Sequence, residues 1–147
     1  MKALIDTCII LDVLQKREPF FEDAHLTFLG VANRQFEGFI SAKSVTDIYY
    51  LMHRFFHDDL KTRETLEILF KLFSILDTTQ IDCKKAILSS VSDYEDAVMI
   101  ETALRTNMDC IVTRNIHDYS KSVVKVYSPN EFLTVLNQSE INQSEEE

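Results

Sequence analysis

Short apolar runs alternate with helical periods along this chain, and that alternation narrows the fold more than any single residue does. Ala3-Leu4-Ile5, Gly38-Phe39-Ile40, Phe73 to Leu76, Cys110-Ile111-Val112-Thr113 and Val123 to Tyr127 read as five short strands. Between them lie helical patterns. Ile9 to Leu14 gives a turn or two, and after Pro19 the stretch from Phe20 to Ala32 repeats through Phe21, Ala24, Phe28 and Val31. Ser41 or Ser44 caps a helix dense in Val45, Ile48, Leu51, Met52 and Phe56, followed by an amphipathic segment from Thr62 to Phe70. Thr78 or Thr79 opens another through Ala86 and Leu88. Two capping boxes complete the pattern: Ser92-Asp93-Tyr94-Glu95 before the helix Ala97 to Leu104, and Ser128-Pro129-Asn130-Glu131 before the last one. Strands separated by helices predict a parallel sheet covered on both faces.

The chain has 147 residues, 46% of them hydrophobic, which suits one domain with a sizeable core. No apolar stretch approaches a membrane span and no signal peptide precedes Lys2, so a soluble cytoplasmic protein without membrane partners is expected. Cys8, Cys83 and Cys110 are far apart and form no C-x-x-C pair, which argues for buried thiols rather than disulfides or a zinc site. Net charge is −9, against a general basic nucleic-acid binder. Glu140, Glu145, Glu146 and Glu147 belong to a polar segment, residues 137–147, expected to be a disordered tail beyond a domain spanning residues 1–136.

Several acids remain where strands give way to turns or helices: Asp6, Asp47, the Asp93/Asp96 pair and Asp118. Carboxylates beside Leu, Ile, Val and Tyr are costly unless they bind a cation or hydrogen-bond donors. In open parallel sheets the crevice beyond the carboxyl ends of the strands is where sites form, and Asp6 and the Thr113 to Asp118 segment belong there. Carboxylate oxygens are hard ligands suited to Mg²⁺ or Mn²⁺, and two such ions about 3.5 to 4 Å apart serve phosphodiester hydrolysis. Without a cation, each carboxylate pair at about 4 Å costs about 4 kcal/mol at an effective dielectric near 20.

These residues also resemble a known family. Leu4-Ile5-Asp6-Thr7-Cys8-Ile9-Ile10-Leu11-Asp12 is similar to the opening motif of PIN-domain ribonucleases, and Asp93-Tyr94-Glu95-Asp96-Ala97 to their third acidic motif. Ile111-Val112-Thr113-Arg114-Asn115 with Asp118-Tyr119 resembles the fourth, and Ser128-Pro129-Asn130-Glu131-Phe132-Leu133 the closing segment. Lys16-Arg17-Glu18-Pro19-Phe20 and Thr46-Asp47-Ile48-Tyr49-Tyr50 look closer to one bacterial PIN subgroup. The resemblance implies a three-layer α/β/α sandwich with a central parallel sheet of about five strands. It also implies Mg²⁺- or Mn²⁺-dependent cleavage of an RNA substrate, an antitoxin partner as for VapC-like toxins, and a homodimer. Asp6, Asp47 and Asp96 match the core metal ligands, Thr113 the hydroxyl that orients the first acid, and Asp93 and Asp118 supporting positions. This chain departs from the pattern in having Asp47 where glutamate is common, Cys8 for a usual asparagine and Asn115 for a usual fourth aspartate.

Each feature has a plainer reading. Asp6 can cap the following helix, Asp93 can complement a helix dipole, Asp118 can be an ordinary loop residue, and Asp12, Glu101 and Asp77 read as solvated or capping groups. His53 and His57 lack the glutamate of H-E-x-x-H and read as a surface pair. Tyr49, Tyr50, Phe55 and Phe56 have helical spacing and are expected in the core, any exposed part serving dimerisation. Arg114, Lys43 and Arg54 are the nearest basic candidates for phosphate contact. Two other functions compete with the nuclease. One is a PIN fold reduced to binding RNA or protein. The other is a receiver-like magnesium-binding signalling module with Asp77 as phosphoacceptor.

Overall fold

The structure is a computed structural model that describes residues 1–146. The chain alternates as read: β1 (Lys2–Ile5), α1 (Thr7–Leu14), α2 (Phe21–Ala32), β2 (Glu37–Ser41), α3 (Ala42–Phe56), α4 (Asp59–Leu72) and β3 (Ser74–Leu76). Then follow α5 (Gln80–Ile87), α6 (Tyr94–Arg105), β4 (Cys110–Val112), a 3-10 turn (Ile116–Tyr119), β5 (Lys125–Tyr127) and α7 (Pro129–Glu145). All strand pairs are parallel, in the order β3-β2-β1-β4-β5. The strands are short because each crosses the sheet once between helices, so a few fully buried residues suffice.

Strand alternation builds two cores. Ala3, Ile5, Ile40, Cys110 and Val112 face α1, α2, α3, α4 and α7, joined by Phe28, Phe73 and Phe132. Leu4 and Ile111 face the other way, onto Met99, Ile100 and Ala103 of α6 and onto Tyr119. The result is the expected three-layer α/β/α sandwich. Gly38 is needed where β2 passes under α2, since a Cβ there would lie 2.8 Å from both Phe73 and Val31. No helix among the described residues is long and apolar enough to cross a membrane.

Local details refine the sequence reading. The Ser128–Glu131 capping box forms as expected, and Thr79 with Asp82 makes another that opens α5. The box expected at Ser92 does not form. Asp93 is the N-cap of α6, its carboxylate accepting from the Asp96 N–H at 3.0 Å. Residues 137–145, expected to be disordered, continue α7 in the structure. No glycine or proline interrupts them, the capping box starts the helix, and buried Phe132 and Leu136 anchor its first turns. Beyond those anchors the helix is exposed, and Gln35 donates to Glu140 at 2.6 Å. Glu147 lies outside the described residues.

Candidate active site

The strand order reverses at β1, with β2 on one side and β4 on the other. A crevice opens at the carboxyl ends of strands wherever the order reverses in this way. Here it is a cleft of about 430 Å³ lined by Asp6, Asp47, Asp93, Asp96 and Asp118, and also by Glu95, Lys43, Arg17 and Tyr50. All five aspartates selected from the sequence therefore reach one cavity. Thr113, buried at the end of β4, supports it from below.

Asp6 follows β1 directly and is only 7% exposed. One carboxylate oxygen caps α1 by accepting from Thr7 N–H at 2.7 Å, so the plain capping reading is also true. Its other oxygen accepts the Thr113 hydroxyl at 2.7 Å across the β1–β4 junction, and the Cys8 thiol at 3.5 Å. Thr113 in turn accepts from the Asn115 N–H at 3.1 Å, which leaves its proton directed to Asp6. Burial nevertheless outweighs these donors and the nearby Arg114 charge, and pushes the Asp6 carboxyl above its ordinary range.

Asp96, in the first turn of α6, accepts from the Tyr119 hydroxyl at 3.0 Å. Its pKa is pushed up to about 6, first by burial and then by the charges of Asp93, Asp6 and Asp118, against the opposing Tyr119 bond. Burial and the two nearby aspartates push the Tyr119 phenol upward, so it stays a donor. Asp118 is exposed on the 3-10 turn. Asp47, in the second turn of α3, is held differently: the Lys43 ammonium lies 2.6 Å from it and 3.2 Å from Glu95. Burial lowers the Lys43 pKa, but the two carboxylates outweigh that and leave it raised.

The mutual repulsion around Asp96 and the supply of oxygen donors fit a hard divalent cation. Among the described residues no three His, Cys, Asp or Glu side chains are gathered as a ready metal cage. A cation would therefore need these acids drawn closer together than they stand.

Several sequence expectations change. Asp12, read as solvated or capping, is fully buried and receives a two-pronged guanidinium contact from Arg114 at 2.6 and 3.2 Å. Arg114 also lies 3.9 Å from the Phe20 ring centroid, so it is a structural cation rather than a phosphate contact. Cys8 and Cys83 are half-buried, and only Cys110 is a buried thiol. Tyr119, Glu95 and Arg17 were not singled out as site residues. Tyr119 directly follows Asp118, but nothing in that spacing reveals that its hydroxyl returns to α6. The strand order also removes the receiver-like alternative. Receiver-like sheets run 2-1-3-4-5, whereas here β3 is an edge strand and Asp77 lies away from the cleft.

A family model described as PIN domain matches residues 2–117. The chain belongs to the PIN domain family. Among solved structures this PIN domain is similar to a toxin–antitoxin complex from Klebsiella pneumoniae, at 20% identity and a TM-score of 0.65, covering 86% of this chain and 97% of that one. It also resembles VapBC2 from Rickettsia felis bound to a promoter DNA fragment, at 14% identity, TM-score 0.60, and 87% and 98% coverage. DNA-bound VapBC from Salmonella typhimurium is comparable, at 16% identity, TM-score 0.64, and 88% and 98% coverage. At these identities the likeness establishes the fold. No functionally curated protein matches the chain in sequence.

Proposed function

We propose that this PIN domain is an endoribonuclease that hydrolyses RNA phosphodiester bonds with Mg²⁺ or Mn²⁺, and that it is the toxin of a toxin–antitoxin pair. The observation that carries the first part is the convergence of Asp6, Asp47, Asp93, Asp96 and Asp118 on one cleft at the strand-order reversal of a PIN sheet. The second part is supported by the toxin–antitoxin assemblies among the structural relatives. An antitoxin that places a basic side chain in this acidic cleft would satisfy the same charges.

When bound, a divalent cation supplies Lewis-acid charge stabilisation and a more acidic water. The chain's own residues do the rest. Asp6 and Asp96 are the ligands best fixed by the protein, through Thr113 and Tyr119. Asp47, paired with Lys43, would be a further ligand, and Asp93 and Asp118 would add oxygen donors. Thr113 keeps Asp6 from rotating, a positioning role of the kind that tunes metal sites. A second reading, a PIN fold that binds without cutting, is favoured by the Lys43 contact on Asp47.

Cleavage of mixed labelled RNAs at low salt, with Mn²⁺ or Mg²⁺ beside EDTA and an Asp96→Asn control, tests the proposal. Metal-dependent cutting that disappears in the variant is the expected result. Folded protein that binds Mn²⁺ but cuts none of the RNAs would move the conclusion to the binding-only reading.

A further inference from the structure

The cleft has an acidic floor, yet one of its walls carries chemistry of the opposite kind. Of the two cations lining it, Lys43 is paired with Asp47 and Glu95. Arg17 is not paired with any acid among the described residues. Its Nε and one Nη donate to the neutral Gln15 Oε1 at 3.0 and 2.7 Å, and among the described residues no carboxylate stands within ion-pair distance. Gln15 donates onward to the Met52 sulfur of α3 at 3.6 Å, which ties the support of Arg17 to the helix bearing Asp47.

On that same helix, three residues after Asp47, Tyr50 also lines the cleft and is 60% exposed. The helical spacing of the aromatic stripe pointed to the core, but Tyr50 and Phe55 are exposed and Tyr49 and Phe56 only half-buried. The Arg54 guanidinium carbon stands 5.8 Å from the Tyr50 ring centroid. In a chain of net charge −9, a guanidinium without an acid at the edge of an acidic cleft is available to an anion. Gln15 uses two of its N–H donors, and the others remain for phosphate oxygens.

We propose that Arg17 and Tyr50 form a recognition wall for single-stranded RNA, Arg17 taking a backbone phosphate beside the cleaved bond and Tyr50 stacking an unpaired base. The inference rests on the nuclease reading and goes beyond it by naming the residues of this chain that would hold the strand. A paired base has both faces covered by its neighbours and cannot stack on Tyr50, whereas a looped or single-stranded one can. Arg17 also gives an acidic protein a local attraction for RNA that its overall charge does not.

The test is binding of a fluorescein-labelled 12-nucleotide single-stranded RNA and its duplex by Asp96→Asn protein with Mn²⁺, across a salt series. Tyr50→Ala is expected to weaken single-strand binding about tenfold, within the range for one base stack, with Tyr50→Trp retaining it and the salt slope unchanged. Arg17→Met is expected to weaken binding and to reduce the log–log salt slope by about 0.7, with Arg17→Lys keeping the slope. Thermal melts confirm that each variant is folded. If wild-type enzyme cuts RNA but both variants bind like their parent, the wall is wrong and the nuclease reading stands, and loss of a purified protein partner's binding in those variants would assign the wall to that partner. If the wild type neither cuts nor, as Asp96→Asn, binds RNA at any salt, the nuclease reading fails and the wall fails with it.

Discussion

Asp82 and Asp6 are both buried aspartates at the start of a helix, and their surroundings drive them in opposite directions. Asp82 is 1% exposed, and its oxygens accept from Arg105 at 2.8 and 3.0 Å, from the Thr102 hydroxyl at 2.8 Å and from Thr79 N–H at 3.0 Å. Burial pushes its pKa up, but these donors outweigh it and hold the carboxyl below its ordinary range. Among the described residues Asp6 has no ion-pair partner, and burial wins; around Asp96 the neighbouring charges are themselves carboxylates. A buried acid is therefore not a functional signal by itself. What separates the two places is whether the fold supplies the compensating charge or leaves it to a ligand.

The largest effects should break this contrast cleanly. Asp6→Asn and Asp96→Asn are each expected to cut the RNA cleavage rate by about 10²- to 10³-fold or more, the scale seen when a charge-stabilising group is lost. Stability measured in urea without metal should hold or rise, because repulsion is relieved. Asp82→Asn should do the reverse. Losing the carboxylate leaves Arg105, a third exposed, without its partner, so about 2 to 3 kcal/mol of unfolding free energy should disappear while the folded enzyme keeps its rate. Equal loss of stability at both places would erase the distinction.

Tyr119→Phe sharpens the contrast by removing the hydroxyl that donates to Asp96, with the Met99 sulfur 3.4 Å away as its other partner. The bond to Asp96 lowers the Asp96 pKa, so its loss should raise the metal-free carboxyl above about 6 and let the proton compete better with Mn²⁺ for this site. A deficit in Mn²⁺ affinity approaching tenfold at pH 6 that narrows by pH 8 is expected, read by Mn²⁺ titration, the scale of a hydrogen bond to a charged group. The wild-type pKa shift has its own stability signature. A folded-state pKa raised above the unfolded one means that the native state holds the proton longer. Metal-free wild type should thus lose stability as pH rises from about 4 to about 6, a slope made shallower in Asp96→Asn, where the raised Asp6 carboxyl still contributes in the same direction. Asp82 has the opposite sign: its contribution is present above about pH 4 and is lost as pH falls through its lowered pKa.

Much of this molecule was legible because its signals are local. Strand alternation, the cap at Ser128 and the placement of acids after apolar runs depend on neighbours in sequence, and together they located Asp6, Asp47, Asp93, Asp96, Asp118 and Thr113 around one cleft. What stayed hidden depends on long-range pairing. The Arg114–Asp12 pair spans 102 positions, and Tyr119 reaches Asp96 across 23. Tyr50 belongs to an aromatic run on α3, yet it lies two residues from buried Met52 and in line with exposed Thr46 and Arg54, so aromatic composition pointed inward where helical position points outward. The C-terminal segment misled for a related reason, since polar composition alone did not reveal a helix started by an anchored capping box.

The smallest expected effect concerns Lys43, the cation of the cleft that is paired with its acids. Its ammonium joins Asp47 of α3 to Glu95 of α6 and so stands against the repulsion that a divalent ion would otherwise relieve. Both carboxylates are well exposed, at 41% and 72%, and such pairs are worth about 1 kcal/mol or less. Lys43→Met should therefore tighten Mn²⁺ binding by no more than about fivefold, measured by electron paramagnetic resonance titration of the purified protein. Removing any positive charge near an acidic cleft would help a cation somewhat, so the gain has to be traced to Asp47. In an Asp47→Asn background the Lys43→Met gain should largely vanish, because the ligand that lysine withholds is already gone. A gain of equal size in both backgrounds would make Lys43 a general field effect, and the cleft would then offer no compensation of its own to set against that at Asp82.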